Sequence, residues 1–240
     1  MEVDLFVPCF IDQFYPDTAF NAIRILEKCG VGVNYNPEQT CCGQPSFNSG
    51  YWKETRTLAK KFIRDFPGHR KVISPSASCT GFIRNYYKKL FDGNDQENEM
   101  EKFCSRFIEL TDFLVNTLNV VDLGAVFPYK VTYHSSCSSL REYRLGDAPQ
   151  RLLEKVKGLE LVEMENPEIC CGFGGTFMVK FTAISSAMAQ QKIENALATG
   201  AEYIISTDSS CLINLEAYIR KNRIPIKPIH IADILASGWK

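Results

Sequence analysis

Three cysteine-bearing blocks of this chain occur twice, in the same order, and this duplication limits the possible fold more than any other feature. VDLFVPCF (3–10) returns as KVTYHSSC (130–137), QTCCGQPS (39–46) as EICCGFGG (168–175), and KVISPSASC (71–79) as YIISTDSSC (203–211). Matched cysteines lie 128 residues apart (Cys9 to Cys137), 129 (Cys41 to Cys170) and 132 (Cys79 to Cys211). The chain reads as two tandem copies of one unit, residues 1–92 and 129–240, joined by a segment at 93–128. In that segment the polar stretch 92–103 lacks apolar periodicity and reads as a solvated loop. The stretch 104–118 places Phe107, Leu110, Phe113, Leu114 and Leu118 at helical spacing, as a connecting helix or an arm of the first unit.

Within each copy, short β-prone runs alternate with amphipathic ones. In the first, DLFV, VGVNY and KVIS predict strands; DTAFNAIRILEKCG, YWKETRTLAKKFIRDF and TGFIRNYYKKLF predict helices. Ala19, Phe20, Ile23 and Leu26 form the apolar face of the first helix, and Gly30 marks its end. Trp52, Thr55, Leu58, Ala59 and Phe62 do the same for the second. The other copy repeats the order with VTYH, LELVEM and EYIIS as strands. Its helices are APQRLLEKV, AISSAMAQQKIENALATG and LINLEAYIRK. Strict alternation predicts an α/β fold: in each unit a mainly parallel sheet flanked by helices, with right-handed crossovers. A two-fold-like packing of the units would bring their equivalent edges together.

The cysteines fall where such a fold gathers ligands. Cys9, Cys41, Cys42 and Cys79 each follow a predicted strand, and so do Cys137, Cys170, Cys171 and Cys211. The carboxyl ends of parallel strands share one edge, so residues more than 30 positions apart converge there. Four converging thiols per unit admit an iron–sulfur cluster, a four-sulfur zinc site, or buried thiols packed as small apolar side chains. Zinc sites favour close Cys-x2–4-Cys knuckles, and the chain has no Cys-x-x-Cys. The glycine after each Cys-Cys pair permits a positive φ, and such a turn brings backbone N–H groups to the sulfurs. The segment GFGG (172–175) is glycine-rich but lacks the G-x-G-x-x-G spacing of a phosphate loop.

Ten cysteines in 240 residues, with no basic, apolar leader at the start, point to metal, cluster or redox chemistry in a cytoplasmic protein rather than to disulfides. A net charge of −1 gives no basic surface for nucleic acid, and no apolar run is long enough for a transmembrane helix.

The segments PCFIDQFYPDTAFNAIRILEKCG (8–30), QTCCGQPSFNSGYWKETRTLAKKF (39–62), ICCGFGGTF (169–177) and STDSSCLINL (206–215) resemble the cysteine-rich CCG domain family. That domain occurs in tandem in one of the subunits of heterodisulfide reductase and in glycolate oxidase iron–sulfur subunits. The resemblance covers nearly the whole chain and is strongest to stand-alone, two-copy members of the lactate-utilization type. It implies an iron–sulfur electron-transfer subunit of a cytoplasmic oxidoreductase complex. That complex would oxidise L-lactate to pyruvate with an iron–sulfur partner and a LUD-type partner. The eight matched cysteines are the expected ligands of such a subunit, non-catalytic or co-catalytic, and no paired carboxylates, Ser–His–Asp order or activated nucleophile marks a catalytic residue in the chain. One departure stands out: the family motif ends in Cys-x-x-Cys, five cysteines per copy, whereas Phe82 and Asn214 occupy the final positions here. Five thiolates serve a non-cubane double cluster that cleaves disulfides. Four per copy match one [4Fe–4S] cluster per unit, with zinc in one or both sites, or a thiol–disulfide reductase subunit, as the alternatives.

His134, three residues before Cys137, reads either as a residue supporting a ligand or moving a proton, or as a hydrogen-bonded strand-end histidine. Cys29 and Cys104 have no matched partners and read as structural. Asp12 and Asp208 lie near ligand loops, where aspartates commonly shape turns. His69 and His230 carry no motif. Ala183, Ser186, Ala187, Gln190 and Ala196 make a small-residue stripe expected to pack against its own sheet.

Overall fold

The computed structural model describes residues 1–91 and 97–239. The first half runs β1 (Glu2–Leu5), α1 (Cys9–Phe14), α2 (Pro16–Lys28), β2 (Gly32–Tyr35), α3 (Gln44–Asn48), α4 (Trp52–Asp65), β3 (Val72–Ser74) and α5 (Ala77–Leu90). It continues through α6 (Glu97–Ser105), β4 (Phe107–Glu109), α7 (Leu110–Asp112) and a π-helical turn at Phe113–Thr117. The second half runs β5 (Lys130–Tyr133), a π-helical turn at Ser138–Tyr143, α8 (Ala148–Leu153), β6 (Glu160–Leu161), α9 (Phe177–Lys180) and α10 (Thr182–Ala198). It ends with β7 (Tyr203–Ser206), α11 (Ser209–Asn222), β8 (Lys227–His230) and α12 (Ile231–Leu235).

The strands form two four-stranded sheets in the same order, β2-β1-β3-β4 and β6-β5-β7-β8. Every pairing is parallel. The fold is α/β, as expected, and the repeated order shows that the duplication is one of structure as well as of sequence. Both sheets have helices packed on them, so central residues such as Val3, Leu5, Ile73, Ile204 and Ile205 are fully buried.

Two readings of the middle segment need correction. Part of the expected 92–103 loop is helix α6; residues 92–96 lie outside the described residues. Phe103 and Cys104 hold α6 down by entering an aromatic core with Phe62, Phe66 and Phe107. The expected helix at 104–118 is interrupted: Cys104 and Ser105 end α6, residues 110–117 are helical as expected, and between them β4 adds an outer strand beside β3 through Val72–Phe107 and Ser74–Glu109 register pairs. Its alternating burial suits an edge strand, and strand pairing here outweighs a local helical pattern.

The apolar faces of two helices, α2 and α10, are rotated from those expected. In α2 the buried residues are Thr18, Ala22, Ile25 and Leu26, while Phe20 is exposed. Thr18 is drawn inside because its hydroxyl donates to Asp233 Oδ2 of the other half at 2.9 Å. In α4 the expected face is kept: Thr55, Ala59 and Phe62 are buried and Leu58 half-buried, while Trp52 at the helix start lies outside. In α10 the small-residue stripe mostly faces outward: Ala183, Ala187 and Gln190 are exposed and Ser186 half-buried. Ser185, Ala189, Lys192, Ile193 and Ala196 pack inward instead.

The halves share a core. One apolar cluster takes Val3, Leu5, Ile25 and Leu26 from the first and Val131, Leu152, Ile205, Ile231 and Leu235 from the second. Burying apolar surface common to both halves removes it from water at roughly 25 cal/mol per Å². At Gly81 an added Cβ would stand 3.1 Å from both Tyr143 N and Glu142 Cβ, so glycine lets α5 lie against the Ser138–Tyr143 turn. No helix among the described residues is long and apolar enough to cross a membrane.

Candidate metal centre

Strand ends and helix starts place the thiols. Cys9 opens α1 just beyond β1, and Cys79 lies in the first turn of α5 beyond β3. In the second half Cys137 immediately precedes the π-helical turn beyond β5, and Cys211 lies in the first turn of α11 beyond β7. Cys41–Cys42 and Cys170–Cys171 sit in the loops after β2 and β6. Both helices that carry a cysteine in their first turn, α5 and α11, are 14 residues long.

All eight cysteines line a single cavity of about 150 Å³, together with Phe10, Phe173, Ser76, Ser136 and Asp208. Each quartet is a run of sulfur contacts. In the first half Cys9 Sγ lies 3.6 Å from Cys41 Sγ, and Cys42 bonds to both Cys41 and Cys79. In the second, Cys170 bonds to Cys137 and Cys171, and Cys171 to Cys211. All ten cysteines are free thiols. Cys29 and Cys104 lie away from the cavity, in apolar clusters.

The Cys-Cys-Gly turns do what the glycine predicts. Gly43 and Gly172 have φ of +90° and +87°, and their N–H groups donate to Cys41 Sγ and Cys170 Sγ at 3.4 Å in each case. These bonds help hold one thiolate per quartet. Cys41 is pushed down to about 3 by thiols donated from Cys42 and Cys9, with Gly43 adding to the effect. Cys170 is pushed down to about 2 by Cys137, Cys171 and Gly172 in the same way. The donors Cys9, Cys42, Cys137 and Cys171 are pushed up, first by the proton each shares with that sulfur and further by burial. Such a quartet holds more thiols than it can ionise unaided. A bound cation deprotonates coordinating thiols and removes the conflict. The donor number, the contacts and the turn geometry all fit a thiolate-held metal or cluster.

Glycine is more strictly required in one turn than in the other. A Cβ on residue 172 would lie 2.7 Å from the Ser185 carbonyl oxygen, whereas one on residue 43 would meet the movable Thr55 Cγ2 at 3.2 Å. Gly172→Ala is expected to cost about 2–5 kcal/mol, and Gly43→Ala about 1–2 kcal/mol, from the left-handed backbone and overpacking. Thermal denaturation of the two variants checks the order. Equal losses would show that the Ser185 backbone yields.

Phe82 and Asn214, at the positions of the absent fifth cysteines, do different work. Phe82 packs against Phe47, Tyr86 and Tyr87. Asn214 Nδ2 donates to the Cys171 carbonyl at 2.8 Å, and its Oδ1 accepts from Ser185 Oγ at 3.4 Å. Through its amide nitrogen, which also reaches Ser185 Oγ at 3.3 Å, Asn214 steadies the turn. In the first half Tyr87 takes over that task, donating its hydroxyl to the Cys42 carbonyl at 2.8 Å.

Asp208 is more than a turn residue. Although it stands at the N-cap position of α11, its carboxylate crosses to the other half. Oδ1 accepts from Ser78 N at 2.8 Å and Ser76 Oγ at 3.2 Å, and Oδ2 accepts from the Ser136 hydroxyl. One half thus caps the opposite half's helix α5, which carries Cys79. Sequence reasoning misses Ser76 and Ser136, yet the blocks SASC, HSSC and DSSC show the pattern of small polar residues before a cysteine. Asp12 is exposed and bonds to Gln13; His230 caps α12 through Ala232 N; His69 is exposed. The GFGG segment borders the cysteine cavity, where Phe173 packs edge-on against Phe10 at 5.4 Å.

His134 is fully buried at the second quartet, and neither ring nitrogen has a hydrogen-bond partner among the described residues. Burial, assisted by the nearby Lys192 ammonium, holds it down at about 3 against the pull of Cys170. A ligating nitrogen of His134 and the sulfurs of Cys171 and Cys211 lie within 4.8 Å of one another.

The same features recur in known proteins. Residues 3–84 and 131–216 each match the family of the cysteine-rich domain, CCG. The chain is 44% identical over 237 residues to lactate utilization protein A of Shouchella clausii, covering 99% of each chain. It is 43% identical over 236 residues to the protein of that name from Geobacillus kaustophilus, covering 98% of each. A solved structure of a hypothetical protein from Helicobacter pylori matches the whole chain with a TM-score of 0.63 at 14% identity, which speaks for the fold alone. The chain spans 49% of that protein. Two matches to one domain, end-to-end relatives and two cysteine quartets in equivalent places agree: the chain belongs to the cysteine-rich CCG domain family, among its two-copy members.

Proposed function

We propose that the chain is an iron–sulfur electron-transfer subunit of a cytoplasmic complex that oxidises L-lactate to pyruvate. The observation that carries this reading is the pair of four-thiol sets around one cavity, in a chain whose end-to-end relatives are named for lactate utilization. Cys9, Cys41, Cys42 and Cys79 would hold one [4Fe–4S] cluster, and Cys137, Cys170, Cys171 and Cys211 a second. When bound, such clusters supply one-electron transfer. The chain's own residues set the conditions for it. The Gly43 and Gly172 N–H groups draw charge from Cys41 and Cys170, which favours the reduced state. Phe10 and Phe173 give part of the cavity an apolar wall. The hydroxy acid is handled by, or together with, the iron–sulfur and LUD-type partner proteins.

A zinc centre in the second half is the competing reading. It is favoured by the mixed nitrogen and sulfur group of His134, Cys171 and Cys211. Anaerobic purification followed by metal and labile-sulfide assays separates the two. Two clusters require about eight iron and about eight sulfide per chain. A colourless protein with stoichiometric zinc and no sulfide would sink the electron-transfer reading.

A further inference from the structure

The two quartets look alike, but what lies behind them differs. Phe6 and His134 are equivalent by register: Phe6 N donates to Ile73 O at 2.9 Å, and His134 N donates to Ile205 O at 2.7 Å. The buried faces of α4 and α10 are equivalent too. Thr55, Ala59 and Phe62 in one correspond to Ser185, Ala189 and Lys192 in the other, each pair 130 residues apart. In the first half this place is hydrocarbon. Phe6 meets Phe62 edge-on at 4.9 Å and Phe66 at 5.9 Å. In the second half it holds an imidazole and an ammonium, His134 and Lys192, both fully buried.

Lys192 has partners, since its Nζ donates to Pro167 O at 2.9 Å and Asn166 O at 3.2 Å. His134 has none at either nitrogen among the described residues. Burying an unpaired polar group costs on the order of 1–3 kcal/mol, and nothing in the packing of this site requires it, because the first half fills the same place with a phenyl ring. The imidazole lies among sulfurs: one of its nitrogens and the sulfurs of Cys171 and Cys211 all fall within 4.8 Å of one another. A neutral imidazole beside thiolates is a donor for iron or zinc.

We propose that His134 is a protein ligand of the second-half metal centre, so that this half binds metal through nitrogen and sulfur and the first half through sulfur alone. The proposal rests on the reading of the quartets as metal centres. It makes the two centres inequivalent. Where the imidazole takes the iron of one of the four thiolates, it removes negative charge and raises the cluster's potential, so that an electron entering the pair would settle on the second centre.

The test uses the full chain, purified anaerobically and assayed for metal. X-ray absorption is then recorded at the edge of the metal found, with pulsed paramagnetic resonance of the reduced protein. One directly bound nitrogen per chain is expected, and it should vanish in His134→Phe, which restores the first-half side chain and keeps the volume filled. The variant should hold its second-half metal at least about tenfold more weakly against a chelator. Its first-half metal should be unchanged. Metal bound in both halves through sulfur alone in the parent chain would overturn the role of His134 and leave the metal reading intact. A chain that takes up no metal in either half would overturn both. A nitrogen signal that persists in His134→Phe would assign the ligand elsewhere and overturn the proposal as well.

Discussion

Cys41→Ser protein prepared without oxygen is expected to hold about half the iron and labile sulfide of the parent, and Cys170→Ser the complementary half. Each of these sulfurs is the hub of its quartet. Cys41 accepts from Cys42, Cys9 and Gly43 N–H, and Cys170 from Cys137, Cys171 and Gly172 N–H. Serine keeps the size but offers an alkoxide precursor of far higher pKa than a thiol, so the hub no longer ionises near neutrality. Metal analysis with the absorption spectrum reads the result. Unchanged iron in Cys41→Ser would show that Cys41 is not a ligand. Loss of all iron from either variant would show that the eight thiols act as one site, which their common cavity makes a real alternative.

The second large effect concerns the joint between the halves. Asp208→Ala is expected to lower stability by about 3 kcal/mol, because the buried Ser78 N–H and Ser136 hydroxyl lose their acceptor and each orphaned group costs about 1–3 kcal/mol. For a chain of this length that corresponds to a fall in Tm of roughly 6–12 °C. Asp208→Asn keeps one acceptor oxygen and should lose less. Because Ser78 and Ser136 flank Cys79 and Cys137, the alanine variant should also bind metal more weakly in both halves, although it alters no thiol. A stability change below about 1 kcal/mol in Asp208→Ala would mean that the shared apolar core alone holds the halves together.

Much of this architecture is legible in residue order alone. The β-prone runs before cysteines form strands β1, β3, β5 and β7, and the cysteines stand just beyond their carboxyl ends. Gly43 and Gly172 adopt the positive φ that their place after a Cys-Cys pair predicts. Local signals read well here because backbone periodicity and glycine's freedom act over a few residues. They fail where a distant partner decides the outcome. Thr18 turns inward for Asp233, Phe107–Glu109 straightens to pair with β3, and Phe103 and Cys104 hold α6 against an aromatic core.

The sequence by itself determined the duplication, the α/β alternation, the eight thiols and the turns that present them. These are properties of residue order and of residues close in the chain. Only the tertiary structure decided that both quartets open on one cavity. It also decided that Asp208 caps a helix of the opposite half, that Asn214 is committed to a carbonyl, and that His134 stands without a partner beside Cys171 and Cys211. The physical reason is common to all four. Each depends on contacts across 37 or more positions of chain, and such contacts are set by how the shared core packs two sheets together, which no local pattern encodes.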